Sequence, residues 1–490
     1  MPINIYEMTV KKFSLSIFES LSWSFLSRFI GNISQFVIYL LLARILKPSD
    51  FGIVASLAVF INICNMFATA GLGSANIQNK RSGNDGYPTI FYTSVLLSFF
   101  FYFVIYISAP YVSNFFDYTD LLVDYLRVYG LTILFTAINA LQISELSKNL
   151  EFKKIFFCST VPTLISGSVS IYLAYAGFGI YSLIINTGLT SLISIIFCAY
   201  FYIPFPKLSF NFNIARGSMA YSSNMFLASV LDEIYRSSTI IAVGKFYNSQ
   251  TLGFFNMGRQ IPAFVSSTMN ATVATVFFPI FSGLQDDIPK GKELLRKSIR
   301  TMNVLFFPIS CLTILLADDM VNILLTDKWL PSVIYLKIFA IIYGLHHISS
   351  TASYYVNALG HSLATLKFEI LKKTIGFLTI ALTISHGVEF LLWGMLFVAI
   401  VSIFINAVPS REYIKYSFKE QMSDTLPTLY INSFLYILFS IIIFKYENNI
   451  VMSIGIGFAY IITYSVIIFG FRLKVIDDWK HIYLGNVRNS

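Results

Sequence analysis

The sequence predicts an all-α membrane protein of about fourteen transmembrane helices, and three observations carry that prediction. First, 56% of the 490 residues are hydrophobic and only 12% are charged, with a mean hydropathy of +0.70. A soluble chain carries about a quarter charged residues, so a set of soluble domains is excluded. Second, the apolar residues gather in repeated runs of about twenty, the length a helix needs to cross about 30 Å of hydrocarbon. Third, most lysines and arginines lie between these runs rather than within them.

Breaking the runs at clusters of charge, Pro, Gly and Asn places the spans in order at 20–46, 52–73, 88–113, 121–146, 156–176, 178–203, 217–244, 251–281, 301–325, 332–358, 365–385, 388–410, 426–445 and 449–471. The first span must itself direct insertion, because Met1 to Lys12 has no short apolar core followed by a cleavage site. The fifth and sixth form a tight hairpin, since only Gly177-Phe178-Gly179 separates them. The seventh carries Asp232, Glu233 and Arg236, the eighth carries Arg259 and Pro262, and the tenth carries His346-His347. The basic run from Lys290 to Arg300 precedes the ninth. Every loop is shorter than about twenty-five residues, which leaves no room for a water-exposed catalytic domain.

Orientation follows from charge, because translocation disfavours Lys and Arg in short loops. With a cytoplasmic N-terminus, the inner segments 1–19, 74–87, 147–155, 204–216, 282–300, 359–373, 411–425 and 472–490 hold 24 of the 34 Lys and Arg residues. Both termini are therefore expected on the cytoplasmic side. Asp117, Asp120, Asp124, Asp318 and Asp319 fall on the outer side. The net charge of +9 does not indicate nucleic acid, because the basic residues form no patch with stacking aromatics on a soluble fold. Cys64, Cys158, Cys198 and Cys311 lie in apolar runs without CxxC or Cys/His spacing, and are expected to be buried thiols rather than a disulfide or zinc framework.

A shift of 201 lays Ala43-Arg44-Ile45-Leu46 on Gly244-Lys245-Phe246-Tyr247, and Asp50-Phe51-Gly52-Ile53 on Thr251-Leu252-Gly253-Phe254. The first and seventh spans thus occupy equivalent places in two parallel repeats. The expected organisation is an N-terminal lobe over 1–210, a C-terminal lobe over 211–412, and two further helices with a tail over 413–490. Two pseudo-symmetric six-helix lobes around a central cavity suit alternating access.

An ionisable residue deep in a bilayer costs several kcal/mol, so it normally faces a partner or a wet cavity. Asp232 and Arg236 are spaced i, i+4 and share a helix face. Two readings stand: a self-neutralised pair that holds one lobe together, or a carboxylate, Asp232 or Glu233, that exchanges a coupling ion. Arg259 either binds an anion or snorkels outward, and Arg28, on one face with Phe25, Asn32 and Gln35, has the same two options. Arginine suits a phosphate-binding cavity because it stays charged when partly desolvated and grips in two places. The consecutive His346 and His347 point about 100° apart and cannot easily share one metal. Lys337 is expected to snorkel at its helix end. No GxSxG, HExxH or Walker A motif is present, so neither an enzyme nor a nucleotide-driven pump has a positive signal, and no cofactor is expected.

Three stretches carry a family resemblance: Leu42-Ala43-Arg44-Ile45-Leu46-Lys47-Pro48-Ser49-Asp50-Phe51-Gly52, Ala70-Gly71-Leu72-Gly73-Ser74-Ala75-Asn76-Ile77-Gln78, and Asn149-Leu150-Glu151-Phe152-Lys153. They resemble the first outer turn, the end of the second span and the segment after the fourth span in Wzx-type polysaccharide flippases of the multidrug/oligosaccharidyl-lipid/polysaccharide superfamily. That resemblance implies a carrier that flips an undecaprenyl-pyrophosphate-linked oligosaccharide, an O-antigen, capsule or exopolysaccharide unit, from the cytoplasmic to the periplasmic leaflet. It implies substrate-binding arginines in the first and eighth spans, where Arg28 and Arg259 stand; Arg236 joins them as a candidate on its membrane depth. Polysaccharide polymerase and glycosyltransferases are the implied protein partners. The competing readings are a drug/cation antiporter of the same superfamily and a membrane-embedded polysaccharide polymerase.

Overall fold

The computed structural model describes residues 5–69, 72–73, 76, 85–116, 121–445, 450–470 and 475. Outside them lie Ala70, Gly71, Ser74, Ala75, Ile77 and Gln78 of the second motif, Asp117 and Asp120 of the outer acidic set, and nearly all of segment 472–490. Among the described residues all regular structure is helical. The helices are α1 (Ile5–Ile45), α2 (Pro48–Thr69), α3 (Gly86–Phe116), α4 (Leu121–Gly130), α5 (Thr132–Lys148), α6 (Phe152–Tyr175), α7 (Ile180–Phe201), α8 (Phe212–Phe246), α9 (Ser249–Ser282), α10 (Ile288–Leu315), α11 (Ala317–Leu324), α12 (Val333–Ala358), α13 (Ser362–Thr383), α14 (Val388–Ile414), α15 (Phe418–Lys445) and α16 (Ile450–Gly470). Short 3₁₀ turns, Asp327–Ser332 and Ile384–His386, precede α12 and α14.

Each of the fourteen sequence-predicted runs coincides with one of these helices or with a consecutive pair. Eleven stretches are long and apolar enough to cross a membrane by themselves, with α4 and α5 counted as one and the 3₁₀ turn Asp327–Ser332 joined to α12. The runs behind α8, α9 and α13 do not pass that test among the described residues. For α13 the reason is visible in its sequence, which carries Lys367, Glu369, Lys372 and Lys373 within two turns, and the described part of α8 carries Asp232, Glu233 and Arg236.

The chain divides into two compact units, Met1–Gly253 and Phe254–Ser490. In the first, α1 lies along α6, α6 against α7, and α2 against α3 and α8. Its core interlocks Leu57 and Ile61 of α2, Ile105 of α3, Leu126 of α4, Ile133 of α5 and Ile184 of α7. The resemblance motif Asn149–Lys153 forms the turn between α5 and α6, where Leu150 takes a left-handed conformation (φ 59°) and the Glu151 amide donates to the Leu146 carbonyl at 2.9 Å. Cys158 of α6 and Cys198 of α7 pair as a disulfide with Cα atoms 5.8 Å apart, which corrects the expectation of four separate thiols; Cys64 and Cys311 are free. Two antiparallel helices joined by a short turn bring such distant positions side by side, and sequence spacing alone does not register it.

In the second unit, α12 packs on α10 and α14, α13 on α14, and α15 on α10 and α16. Tyr464 of α16 donates to the Val304 carbonyl of α10 at 2.9 Å, and Tyr460 donates to the Asn432 side chain of α15 at 2.9 Å. The last two long helices are thereby tied to α10 through buried tyrosines rather than through apolar contact alone.

The internal repeat takes physical form at one place in the first unit. Helix α1 ends at Ile45 and α2 begins at Pro48, while α8 ends at Phe246 and α9 begins at Ser249, each boundary displaced by the predicted 201. The two turns meet. A Cβ on Gly52 would lie 1.7 Å from the Ser249 carbonyl oxygen, and one on Gly253 would lie 1.9 Å from the Pro48 carbonyl oxygen. Since 249 is the repeat equivalent of 48, the contact is reciprocal, and glycine is required on both sides because any side chain would strike backbone. The turns are closed differently: the Lys47 amide donates to Asp50 Oδ2 at 3.0 Å, whereas the Thr251 amide donates to Asn248 Oδ1 at 2.8 Å.

Candidate functional site

The charged residues singled out from sequence lie on three helices. On α8, Glu233 is the partner that Arg236 shows, Nε to Oε2 at 3.9 Å, with Ser237 Oγ donating to Glu233 Oε1 at 3.2 Å. The sequence pointed to Asp232 at i, i+4; Glu233 at i, i+3 is also within reach, because both spacings lie on one helix face and Ser237 orients the Glu233 carboxylate. Arg236 and Asp232 are exposed, while Glu233 is largely covered. The guanidinium is thus held at one edge and leaves donors directed outward.

Arg28 lies on an exposed face of α1 with Asn32 and Gln35, as the helical spacing predicted. The next residue turns the other way: Ser27 is buried and its hydroxyl lies 3.3 Å from that of Ser159 on α6. Arg28 has no ion pair among the described residues. Arg259, half-buried on α9, donates from Nη2 to Asn256 Oδ1 at 3.4 Å. Its neighbour Gly258 is pressed on α12, where a Cβ would come within 2.8 Å of the Leu336 amide nitrogen, so α9 is tightly seated beside this arginine. Arg28 and Arg236 belong to the first unit and Arg259 to the second.

Two charge groups were not anticipated from sequence. The sequence places the eleventh span at 365–385 with its first residues counted in the inner segment 359–373, and α13 begins three residues earlier, at Ser362. Lys372 and Lys373 therefore sit about ten residues, or roughly 15 Å, along a helix. Both are half-buried, and Lys372 pairs with Glu369. The second group joins α10 to α15. Arg296 grips Asp424 in two places, Nε to Oδ2 at 2.7 Å and Nη2 to Oδ1 at 3.1 Å, and Arg300 adds a bond to Oδ1 at 2.9 Å. The Tyr416 hydroxyl donates to Asp424 Oδ2 at 3.0 Å, and Lys292 Nζ lies 2.8 Å from Glu420 Oε1. Asn303 extends this network inward, donating to the Asp424 carbonyl at 3.0 Å and lying 2.7 Å through Oδ1 from His347 Nε2.

His347 is fully buried and stacks on Phe306 with ring centroids 4.4 Å apart, which makes it part of the α10–α12 packing; His346 is exposed. Lys337 does not extend free at its helix end but pairs with Asp318 of α11 at 2.7 Å. The run Lys290 to Arg300, expected as an inner loop, forms the first turns of α10, whose start Asp287 caps by accepting from the Lys290 amide at 3.1 Å. That same residue's ammonium and amide hold the Asp287 carboxyl below its ordinary range.

The pattern is of cationic side chains distributed along membrane helices, some neutralised between helices and others left reaching outward. Such an arrangement can hold an anionic group away from bulk water, since guanidinium and ammonium groups keep their charge there and hydrogen-bond phosphate oxygens directly. A family profile described as "Polysaccharide biosynthesis protein" matches residues 41–334. The chain belongs to that family. The matched region runs from the α1–α2 turn to the start of α12 and contains Arg236 and Arg259 but not Arg28.

Similar proteins agree in kind. An uncharacterized membrane protein in the cps region of Klebsiella pneumoniae is 23% identical over 368 residues, 73% of this chain and 74% of that one. The succinoglycan biosynthesis transport protein ExoT of Rhizobium meliloti (strain 1021) is 20% identical over 422 residues, 85% of this chain and 83% of its own. Among solved structures, the lipid II flippase MurJ in an inward closed conformation superposes with a TM-score of 0.69 at 15% identity, covering 92% of this chain and 99% of that one. At that identity the superposition speaks to the fold.

Proposed function

We propose that this protein is a flippase that moves a polyprenyl-pyrophosphate-linked oligosaccharide, the repeat unit of a surface polysaccharide, from the cytoplasmic to the periplasmic leaflet. The observation that carries the reading is that a member of a polysaccharide biosynthesis family is built, through its described residues, almost entirely of long helices joined by short turns, with cationic side chains along them. A lipid-linked sugar has a pyrophosphate for those cations and a hydrocarbon tail that remains in the bilayer. Arg28, Arg236 and Arg259 are the proposed contacts to pyrophosphate, and Glu233 with Asp232 the proposed coupling carboxylates. Lys372 and Lys373 join the cationic set on the strength of their position along α13.

The cycle is alternating access driven by an ion gradient or the membrane potential, with both chain termini on the cytoplasmic side of the inner membrane. The role is transport rather than bond-making, and polymerase and glycosyltransferases are the proteins that consume and supply its cargo. A deletion in the native host tests this directly, by extracting lipid-linked oligosaccharides and assigning their leaflet. Repeat units trapped on the cytoplasmic face support the flippase. Single units accumulating on the periplasmic face refute it in favour of a polymerase, and normal surface sugar with altered drug sensitivity refutes it in favour of an antiporter.

A further inference from the structure

The second unit carries a groove that none of the candidate transport residues lines. It is an open recess of about 710 Å³ where α14 ends and α15 begins, with Arg411, Lys415 and Lys419 at its mouth and Phe404, Val408 and Phe418 on its wall. The three basic residues are exposed, and among the described residues none has an ion-pair partner; Lys415 Nζ donates to the Glu412 carbonyl at 3.2 Å. Glu412 is the one carboxylate lining the recess, so the mouth keeps a net positive charge. The contrast with the adjacent face is instructive. Lys292, Arg296 and Arg300 are all engaged by Glu420 and Asp424, whereas the groove's cations have no carboxylate partner among the described residues.

The wall continues an outward stripe. Trp393, Phe397, Phe404 and Val408, spaced by four or seven, are each more than half exposed along one face of α14, and the stripe ends at Arg411. The turn that sets the mouth is held by hydrogen bonds: Lys415 takes a left-handed conformation (φ 59°), its carbonyl receives Lys292 Nζ at 2.7 Å, and Ser417 caps α15 together with Glu420. A cationic mouth at the end of an apolar stripe on a membrane helix matches one chemical object, a lipid with an anionic headgroup and acyl chains lying along the helix. We infer that the α14–α15 groove is a binding site for an anionic phospholipid of the surrounding bilayer, its phosphate held by Arg411, Lys415 and Lys419. A bilayer phospholipid reaches this position without leaving the membrane, because the wall it would cover already faces outward. The assignment does not depend on which cargo the protein moves.

The test is native mass spectrometry of the full chain in detergent, titrated separately with dioleoyl phosphatidylglycerol, dioleoyl phosphatidylcholine and undecaprenyl phosphate. The wild type is expected to hold phosphatidylglycerol more tightly than phosphatidylcholine. The triple variant Arg411→Gln, Lys415→Gln, Lys419→Gln should weaken the tightest phosphatidylglycerol site about a hundredfold, from roughly a factor of five per basic side chain, and leave phosphatidylcholine binding unchanged. Val408→Trp keeps every charge and fills the groove, and should also abolish the tight site. Unaltered phosphatidylglycerol binding in either variant overturns the assignment, the second case reducing it to diffuse surface charge. A tight site filled by undecaprenyl phosphate but not by phosphatidylglycerol would overturn it too, and would make the groove part of the cargo path.

Discussion

Replacing Gly52 with alanine is the sharpest test of the reciprocal contact between the two repeat-related turns. In an open helix the change is favourable, because alanine is a better helix former than glycine by about 1 kcal/mol. Here the new methyl would lie 1.7 Å from the Ser249 carbonyl oxygen and 2.7 Å from its carbon, both backbone atoms that cannot rotate aside. Restoring an ordinary contact requires the starts of α2 and α9 to part by roughly 1.5 Å, a distortion of the overpacking kind that costs about 1–3 kcal/mol. Gly253→Ala should cost about the same, since its methyl would lie 1.9 Å from the Pro48 carbonyl oxygen. One separation admits both methyls, so the double variant should be less destabilised than the sum, with a coupling of about 1 kcal/mol or more. Gly31→Ala on α1 is the control: nothing lies within 4 Å of its Cβ position, and it should be neutral or slightly stabilising. The assay is unfolding of purified protein in mixed micelles followed by circular dichroism. Wild-type stability of Gly52→Ala, or penalties that simply add, would refute the reciprocal-contact argument.

Other substitutions address the charge groups. Asp424→Ala removes the buried carboxylate shared by Arg296, Arg300 and Tyr416 and leaves Glu420, at 3.6 Å, as the ion-pair partner of Arg296, so it should destabilise by about 3 kcal/mol in the same assay. Glu420→Gln, at a more exposed carboxylate, should cost under about 1 kcal/mol, and equal losses would contradict the central place given to Asp424. Arg236→Ala and Arg259→Ala should each block surface-polysaccharide export while the protein stays in the membrane at normal levels, measured by polysaccharide staining and immunoblotting; normal export in both removes them from the cargo site. Lys372→Gln with Lys373→Gln should lower export without lowering membrane abundance, and unchanged export would make that pair structural.

Much of the fold was legible because burial in lipid imposes a single requirement on sequence. Backbone groups in hydrocarbon must be satisfied within a helix, so about twenty apolar residues announce a helix whatever their neighbours do. Hydropathy marks where lipid begins, however, and not where a helix begins. Residues 290–300 and 418–425 read as loop because they are charged, yet helix geometry continues through them where Asp287 caps α10 and where Arg296 and Arg300 of α10 meet Asp424 of α15. The same limit explains the disulfide between Cys158 and Cys198 and the ion pair between Lys337 and Asp318, which depend on neighbours across helices.

By itself, then, the sequence determined the all-helical membrane class, the order of the helices and the repeat of 201 residues at the two turns, since hydropathy, helical periodicity and internal similarity are local properties. Only the tertiary structure decided which of the cations are neutralised by a carboxylate among the described residues and which are not. Lys292, Arg296 and Arg300 are answered by carboxylates of α15 more than a hundred residues away, while Arg411, Lys415 and Lys419, of the same residue types, have no such answer among the described residues. That difference arises from how α10, α14 and α15 pack, because electrostatic pairing falls off over a few ångströms and is set by distance in space rather than along the chain.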